Sequence, residues 1–274
     1  MSFKTLMVHV DVDGELAARV KIAAELADRF CASLIGIAGW APASVFLAED
    51  AISGSAATQS PLQDMKSVLD EKGRQFLAAV RTSGRQVEWR SDLDFPIEII
   101  AREARAADLI IVGNTQVSRD PFRALDPGGL LLKAGRPVLV VPTSASSFSP
   151  KRVAIAWIDV REARRAVLDA LPFLKTAESV MVVEVVGDDT SASAWHRVKD
   201  VSHYLARHGI KVVSERVLPA ELSTSKSLLQ FVGSENIDLI VAGAYGHSRL
   251  GEWAFGGVTR ELLADTPICC LYSN

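Results

Sequence analysis

The 274-residue chain reads as an α/β protein built from two tandem doubly wound domains, each a five-stranded parallel sheet with helices on both faces. Three observations predict this. Short apolar runs of strand length alternate with longer segments of helical spacing, the pattern of parallel sheets covered by helices. The chain is about twice the commonest domain length. It also repeats itself. Lys4-Thr-Leu-Met-Val-His-Val10 followed by Glu15-Leu-Ala-Ala-Arg19 parallels Lys151-Arg-Val-Ala-Ile-Ala-Trp157 followed by Glu162-Ala-Arg-Arg165. Asp108 to Pro137 and Asp238 to Pro267 are each 29 positions. A repeat this long marks two copies of one domain. The expected division is residues 1–143, a Ser-rich linker at 144–150, and residues 151–274.

In the first copy, Thr5 to Val10 reads as a strand and Gly14 to Phe30 as a helix with apolar spacing at Leu16, Val20, Ala23, Ala24 and Ala27. Ser33 to Trp40 is the second strand. Residues 41–60, rich in Ala and Ser, have no counterpart in the second copy and read as a lid, a packing surface or a loop. Pro61 then starts a helix to about Ser83, Gln86 to Ser91 is a strand, Pro96 opens a helix through Arg105, and Leu109 to Val112 and Pro137 to Val141 are the last strands. The second copy repeats the order, with strands at Arg152–Trp157, Ser179–Val186, Lys211–Val217, Asp238–Ala242 and Pro267–Leu271. Its helices are expected at Arg161–Leu174, Ala194–His208, Ser225–Ser234 and Gly257–Ala264. The winding should reverse between first and fourth strands, which is where such sheets bind ligands. The two apolar last strands should pair with each other, because exposed edges must be covered.

Composition excludes several classes. The formal net charge is −3 and no Lys/Arg cluster is present, which argues against nucleic acid and anionic membrane as partners. Residues 31–48 carry no charge, but Gly36, Gly39 and Pro42 interrupt them, so they read as strand plus loop. The N-terminus lacks the basic-then-apolar layout of a signal peptide, and a cytoplasmic location is expected. Cys31, Cys269 and Cys270 give neither zinc spacing nor a disulfide framework, and no metal site is expected.

The functional signal lies at Gly243-Ala-Tyr-Gly246-His247-Ser-Arg249-Leu-Gly251 and Gly256-Gly257-Val258-Thr259, between an apolar strand and a helix. Glycines there let backbone N–H groups approach an anion, and the helix N-terminus favours negative charge. His247 and Arg249 are candidate phosphate donors or solvated loop residues; Tyr245 either stacks on a base or packs the loop.

Gly243, two residues, Gly246, nine residues and Gly256-Gly257 resemble the nucleotide loop of the universal stress protein family, and Gly135-Arg-Pro-Val-Leu-Val-Val-Pro142 adds to the likeness. The resemblance spans both halves and implies a tandem member. It implies ATP or a related adenine nucleotide as ligand, an intramolecular pseudo-dimer, and room for a protein partner or a homodimer. It also implies an aspartate after the first strand that contacts the adenosine. Here the features are divided. Asp11 stands at the aspartate position of the first half, but only Gly113 survives from its loop, with Gln116 and Asp126-Pro127 in place of the other glycines. Those replacements bring negative charge and remove a backbone donor. The second half keeps the loop but has Ile158 at the aspartate position, with Asp159 one step along, and Gly257 where the family carries Ser or Thr. Asp11 and Asp159 serve equally well as helix N-caps.

The expected second-half site is therefore Asp159, Gly243, Gly246, His247, Arg249, Gly256, Gly257, Val258 and Thr259, with Asp11 and Gly113 as a secondary first-half site. The loop lacks the lysine of a Walker motif and no acidic pair marks a magnesium site. A binding or sensing module ranks above a module working through protein contacts alone, and above a slow ATPase.

Overall fold

The computed structural model describes all residues except 1, 14–15, 17, 44–55, 81–84, 115–117, 188–190, 212, 221–222 and 246–256, and the side chains of 56–60, 191 and 265 are likewise left aside. The chain separates into two compact units, residues 3–136 and residues 137–274.

In the first unit, β1 (Thr5–His9), β2 (Ser33–Gly39), β3 (Val87–Asp92) and β4 (Leu109–Gly113) lie in the order β3-β2-β1-β4, all parallel. The helices are α1 (Ala18–Phe30), α2 (Ala56–Ala79), α3 (Pro96–Glu103) and α4 (Pro127–Lys133). Every residue of β4 is buried, as are Leu6, Met7 and Val8 of β1, because helices cover both faces of a parallel sheet. Helix α2 begins five residues before Pro61, so this proline sits inside the helix rather than opening it. Most of the 41–60 segment lies outside the described residues.

The second unit begins with β5 (Val138–Val141) and continues through β6 (Arg152–Ala156), α5 (Arg161–Leu174), β7 (Ser179–Val186), α6 (Ser191–Arg207) and β8 (Val213–Pro219). It closes with α7 (Thr224–Ser234), β9 (Leu239–Gly243), α8 (Gly257–Asp265) and β10 (Cys269–Ser273). Its strand order is β5-β10-β9-β6-β7-β8. All neighbours are parallel except β5 and β10, which pair antiparallel through Val140↔Cys270, Leu139↔Leu271 and Val138↔Tyr272. The last strands of the two repeats thus cover each other's apolar edges as expected.

The repeated aspartates have one job in both copies. Asp108 Oδ2 accepts the N–H groups of Lys4 (2.7 Å) and Thr5 (3.0 Å), and Asp238 Oδ2 accepts those of Lys151 (2.9 Å) and Arg152 (2.8 Å). Each ties the start of its fourth strand to the start of its first, which seats the pair β1/β4 or β6/β9 where the winding reverses.

Candidate functional site

In the second unit a cavity of about 340 Å³ opens at the carboxyl ends of β6 and β9. This is the expected topological switch. Ala156, Ala242, Val183 and Tyr272 form its floor, Leu228 of α7 and Leu262 of α8 its sides, and Ile158, Gly243, Gly257, Val258 and Thr259 line it further. The Ser225 hydroxyl, at the start of α7, donates to the Glu261 carboxylate of α8 and ties the two helices together. Among the described residues no lining residue is charged, and the side-chain polar groups are the indole of Trp157 and the hydroxyls of Thr224, Tyr245, Thr259 and Tyr272.

Gly243 has a packing reason of its own. A Cβ there would lie 2.5 Å from the Ala163 nitrogen and 2.7 Å from the Glu162 carbonyl carbon, both backbone atoms of α5. Gly257 differs, since a Cβ there meets nothing within 4 Å. Between them the chain turns sharply: Ala244 N–H donates to the Ser273 carbonyl at 2.8 Å, and Tyr245 follows with φ +60. A left-handed conformation is costly for a bulky residue and persists only where its surroundings hold it. The buried Thr259 hydroxyl faces the Tyr245 N–H at 3.5 Å, a long and weak contact that spans β9 and α8.

The structure brings Gly243, Gly257, Val258 and Thr259 to this cavity, together with Ile158. It does not bring Asp159, which is exposed, pairs with Arg164 at 2.5 Å, and faces a second cavity between α5 and α6. After β6 the chain alternates sides, so one step along from Ile158 points the other way. Gly246, His247, Arg249 and Gly256 lie outside the described residues. Sequence reasoning passed over Tyr272 and Thr224. The alternation of β10, with Cys270 and Tyr272 sharing one face, was the available clue for Tyr272.

The first unit is built differently at the corresponding place. Asp126 is the N-cap of α4, a helix the sequence reading omitted although Asp followed by Pro is a helix-start signature. Its carboxylate accepts the N–H groups of Gly128 and Gly129, both at 3.0 Å. The negative charge expected only to repel phosphate thus takes up the helix donors itself. Arg123 lies across the carboxyl ends of β1 and β2, paired with Asp13 at 3.0 Å and placed 4.6 Å above the Trp40 ring centroid. Ala41 N–H binds the Phe122 carbonyl at 2.8 Å, which holds that covering segment down. Asp11 is engaged as well: it pairs with the buried Arg19, whose Nε donates to the His9 carbonyl at 2.8 Å. His9 is buried, and burial pushes its pKa down to about 4. Gly113 is the buried last residue of β4.

Among the described residues no group of His, Cys, Asp or Glu could hold a metal ion, and no helix is long and apolar enough to cross a membrane.

Comparison with solved structures shows the same fold along the whole chain. A universal stress protein from Archaeoglobus fulgidus DSM 4304 superimposes with a TM-score of 0.71 at 14% identity, covering 98% of each chain. A candidate universal stress protein from Pseudomonas aeruginosa UCBPP-PA14 gives 0.60 at 16% identity, covering 99% of this chain and 93% of that one. A protein of unknown function from Pseudomonas aeruginosa PAO1 gives 0.59 at 17% identity over 99% and 92%. No curated protein matches the sequence. The model of the universal stress protein family matches residues 136–271. Those residues, the second repeat together with the last strand of the first, form a domain of the universal stress protein family.

Proposed function

We propose that the second unit binds ATP or a related adenine nucleotide in the cavity at the ends of β6 and β9, and that the protein is a binding or sensing module in stress response rather than an enzyme. The observation that carries this reading is the contrast between the two units at one place in the fold. In the first, Asp126 occupies the N–H groups of α4 and Arg123 covers the strand ends. In the second, the first turn of α8 contains no acidic residue and leads directly into a cavity lined by Gly257, Val258 and Thr259. The first N–H groups of a helix have no partner within the helix, and they favour an anion. The Thr259 hydroxyl adds a side-chain donor at the same end. No carboxylate, lysine or histidine lines the cavity among the described residues, so binding has more support than acid–base catalysis.

The site lacks two anchors that a complete one would have, a carboxylate at Ile158 and a hydroxyl at position 257. At about 1 kcal/mol each, their absence weakens binding roughly 30-fold. Both can be restored without crowding, because Ile158 is 44% exposed and position 257 is open. Isothermal titration should therefore find weak ATP binding by the full chain and tighter binding by Ile158→Asp with Gly257→Ser. If the wild type binds no nucleotide and the restored variant gains none, a second reading takes over. In that reading the module works through protein contacts and its glycines serve packing, a role Gly243 already has against α5.

A further inference from the structure

Between α5 and α6 the second unit leaves a cavity of about 450 Å³ where the first unit has closed apolar core. The repeat matches the two places residue by residue. Val12 follows Lys4 by eight positions as Asp159 follows Lys151, and the registers His9↔Ile37 and Ala156↔Val183 match Ala38 to Glu184. In the first unit Val12 and Ala38 are buried with Leu69 of α2, and Trp40, Trp89 and Leu93 pack against them. In the second unit both apolar positions are carboxylates. Asp159 pairs with Arg164 of α5, and the buried Glu184 accepts from Nε of Arg197 on α6 at 3.0 and 3.2 Å. Trading apolar packing for ion pairs is often neutral or costly to stability, and an unfilled apolar wall adds to the cost. Packing therefore does not account for the exchange.

The lining indicates what the cavity holds. Val167, Leu168 and Val201 form an apolar wall, and Trp157 and Tyr204 add two aromatic rings. The two arginines at the cavity already have Asp159 and Glu184 as partners. Asp200 also lines it, and among the described residues the one basic side chain within reach of its carboxylate is His196, at 3.5 Å. Three carboxylates against two guanidiniums leave excess negative charge beside rings whose faces also attract cations. We propose that this cavity binds a small aromatic amine, its ring against Trp157 and Tyr204 and its ammonium at Asp200. The volume falls within the range of small-molecule sites, and a ring on an ammonium stem matches both the apolar wall and the residual charge. Among the described residues the site shares only Trp157 with the cavity at the ends of β6 and β9, so it stands whether or not a nucleotide binds there.

The test titrates phenethylamine, 2-phenylethanol, 3-phenylpropionate and N-acetyl-lysine amide into the full chain, its three tyrosines replaced by 3-fluorotyrosine and Tyr204 assigned by its loss in Tyr204→Phe. Tyr204 lines this cavity, whereas Tyr245 and Tyr272 line the other, so the resonance that moves locates the ligand. Phenethylamine should shift Tyr204 saturably, bind about tenfold tighter than the neutral alcohol or the anion, and lose about tenfold in Asp200→Asn. Asp200 is exposed, so melting of Asp200→Asn at the wild-type temperature shows that the variant is folded. If phenethylamine moves no tyrosine, moves Tyr245 or Tyr272 without Tyr204, or binds no better than the alcohol or the acid, the proposal is overturned. Unchanged affinity in Asp200→Asn overturns the role given to that carboxylate. Equal or tighter binding of the lysine derivative overturns the small aromatic ligand in favour of a protein side chain.

Discussion

Asp126 caps Gly129: its Oδ2 accepts the Gly129 N–H at 3.0 Å while Oδ1 accepts that of Gly128, so the helix start of the first unit is satisfied by the chain itself. An N-cap of this kind typically contributes about 1 kcal/mol. Asp126→Ala should lower unfolding stability by that amount in urea denaturation, and Asp126→Asn should recover most of it. Equal stability of all three proteins would show that the carboxylate is not the cap.

Gly243 and Gly257 should separate cleanly on substitution. Alanine at 243 drives a methyl into the backbone of α5, 2.5 Å from the Ala163 nitrogen, and overpacking against backbone costs roughly 1–3 kcal/mol. Alanine at 257 enters open space. Thermal melts followed by circular dichroism should show a clear drop for Gly243→Ala and little change for Gly257→Ala. The reverse order would contradict the packing described for β9 and α5.

His9 makes stability pH-dependent in a defined window. Its pKa falls from 6.5 in the unfolded chain to about 4 in the fold, chiefly through burial, with Asp11 opposing and Arg19 assisting. Between those values the unfolded chain binds more protons, so stability rises with pH and is lost as pH drops from about 6.5 towards 4. The full loss is on the order of 3 kcal/mol, with no further contribution below pH 4. Urea titrations at pH 7 and pH 4.5 should reveal this slope, and His9→Leu should flatten it. A wild-type slope unchanged in His9→Leu would place its origin elsewhere.

The cysteines should differ sharply in reactivity. Cys269 and Cys270 are buried, and burial pushes both thiols up to about pKa 12, whereas Cys31 is exposed. Alkylation requires an accessible thiolate. Iodoacetamide at pH 8 followed by peptide mass analysis should modify Cys31 in the folded protein and all three cysteines after denaturation. Rapid labelling of Cys270 in the native state would show that β10 opens.

Much of the architecture was legible because parallel strands buried on both faces must be apolar runs, and the repeated Asp108 and Asp238 fixed the correspondence between copies. The boundaries of α5 and β7 were read without error, since α5 carries a regular apolar stripe and β7 is an apolar run set between Glu178 and Gly187. Helix α4 was missed because its seven residues are too few for a periodic signal, although Asp126-Pro127 announced its start. The helical turn ahead of Pro61 was missed for the opposite reason: proline at a helix start is the commoner arrangement.

The sequence by itself determined the two repeats, the alternation of strands and helices and the pairing of the last strands, because burial and spacing are local properties written along the chain. The tertiary structure decided what stands at the carboxyl ends of the strands. Only folding carries the Asp126 carboxylate onto its own helix start, lays Arg123 over Trp40, turns Asp159 towards Arg164 and away from Gly243, and brings Tyr272 beside Ala242 and Ala156. Each is a contact between side chain and partner that depends on which way a strand end points. A change of one position in the sequence reverses that direction while leaving composition and periodicity the same.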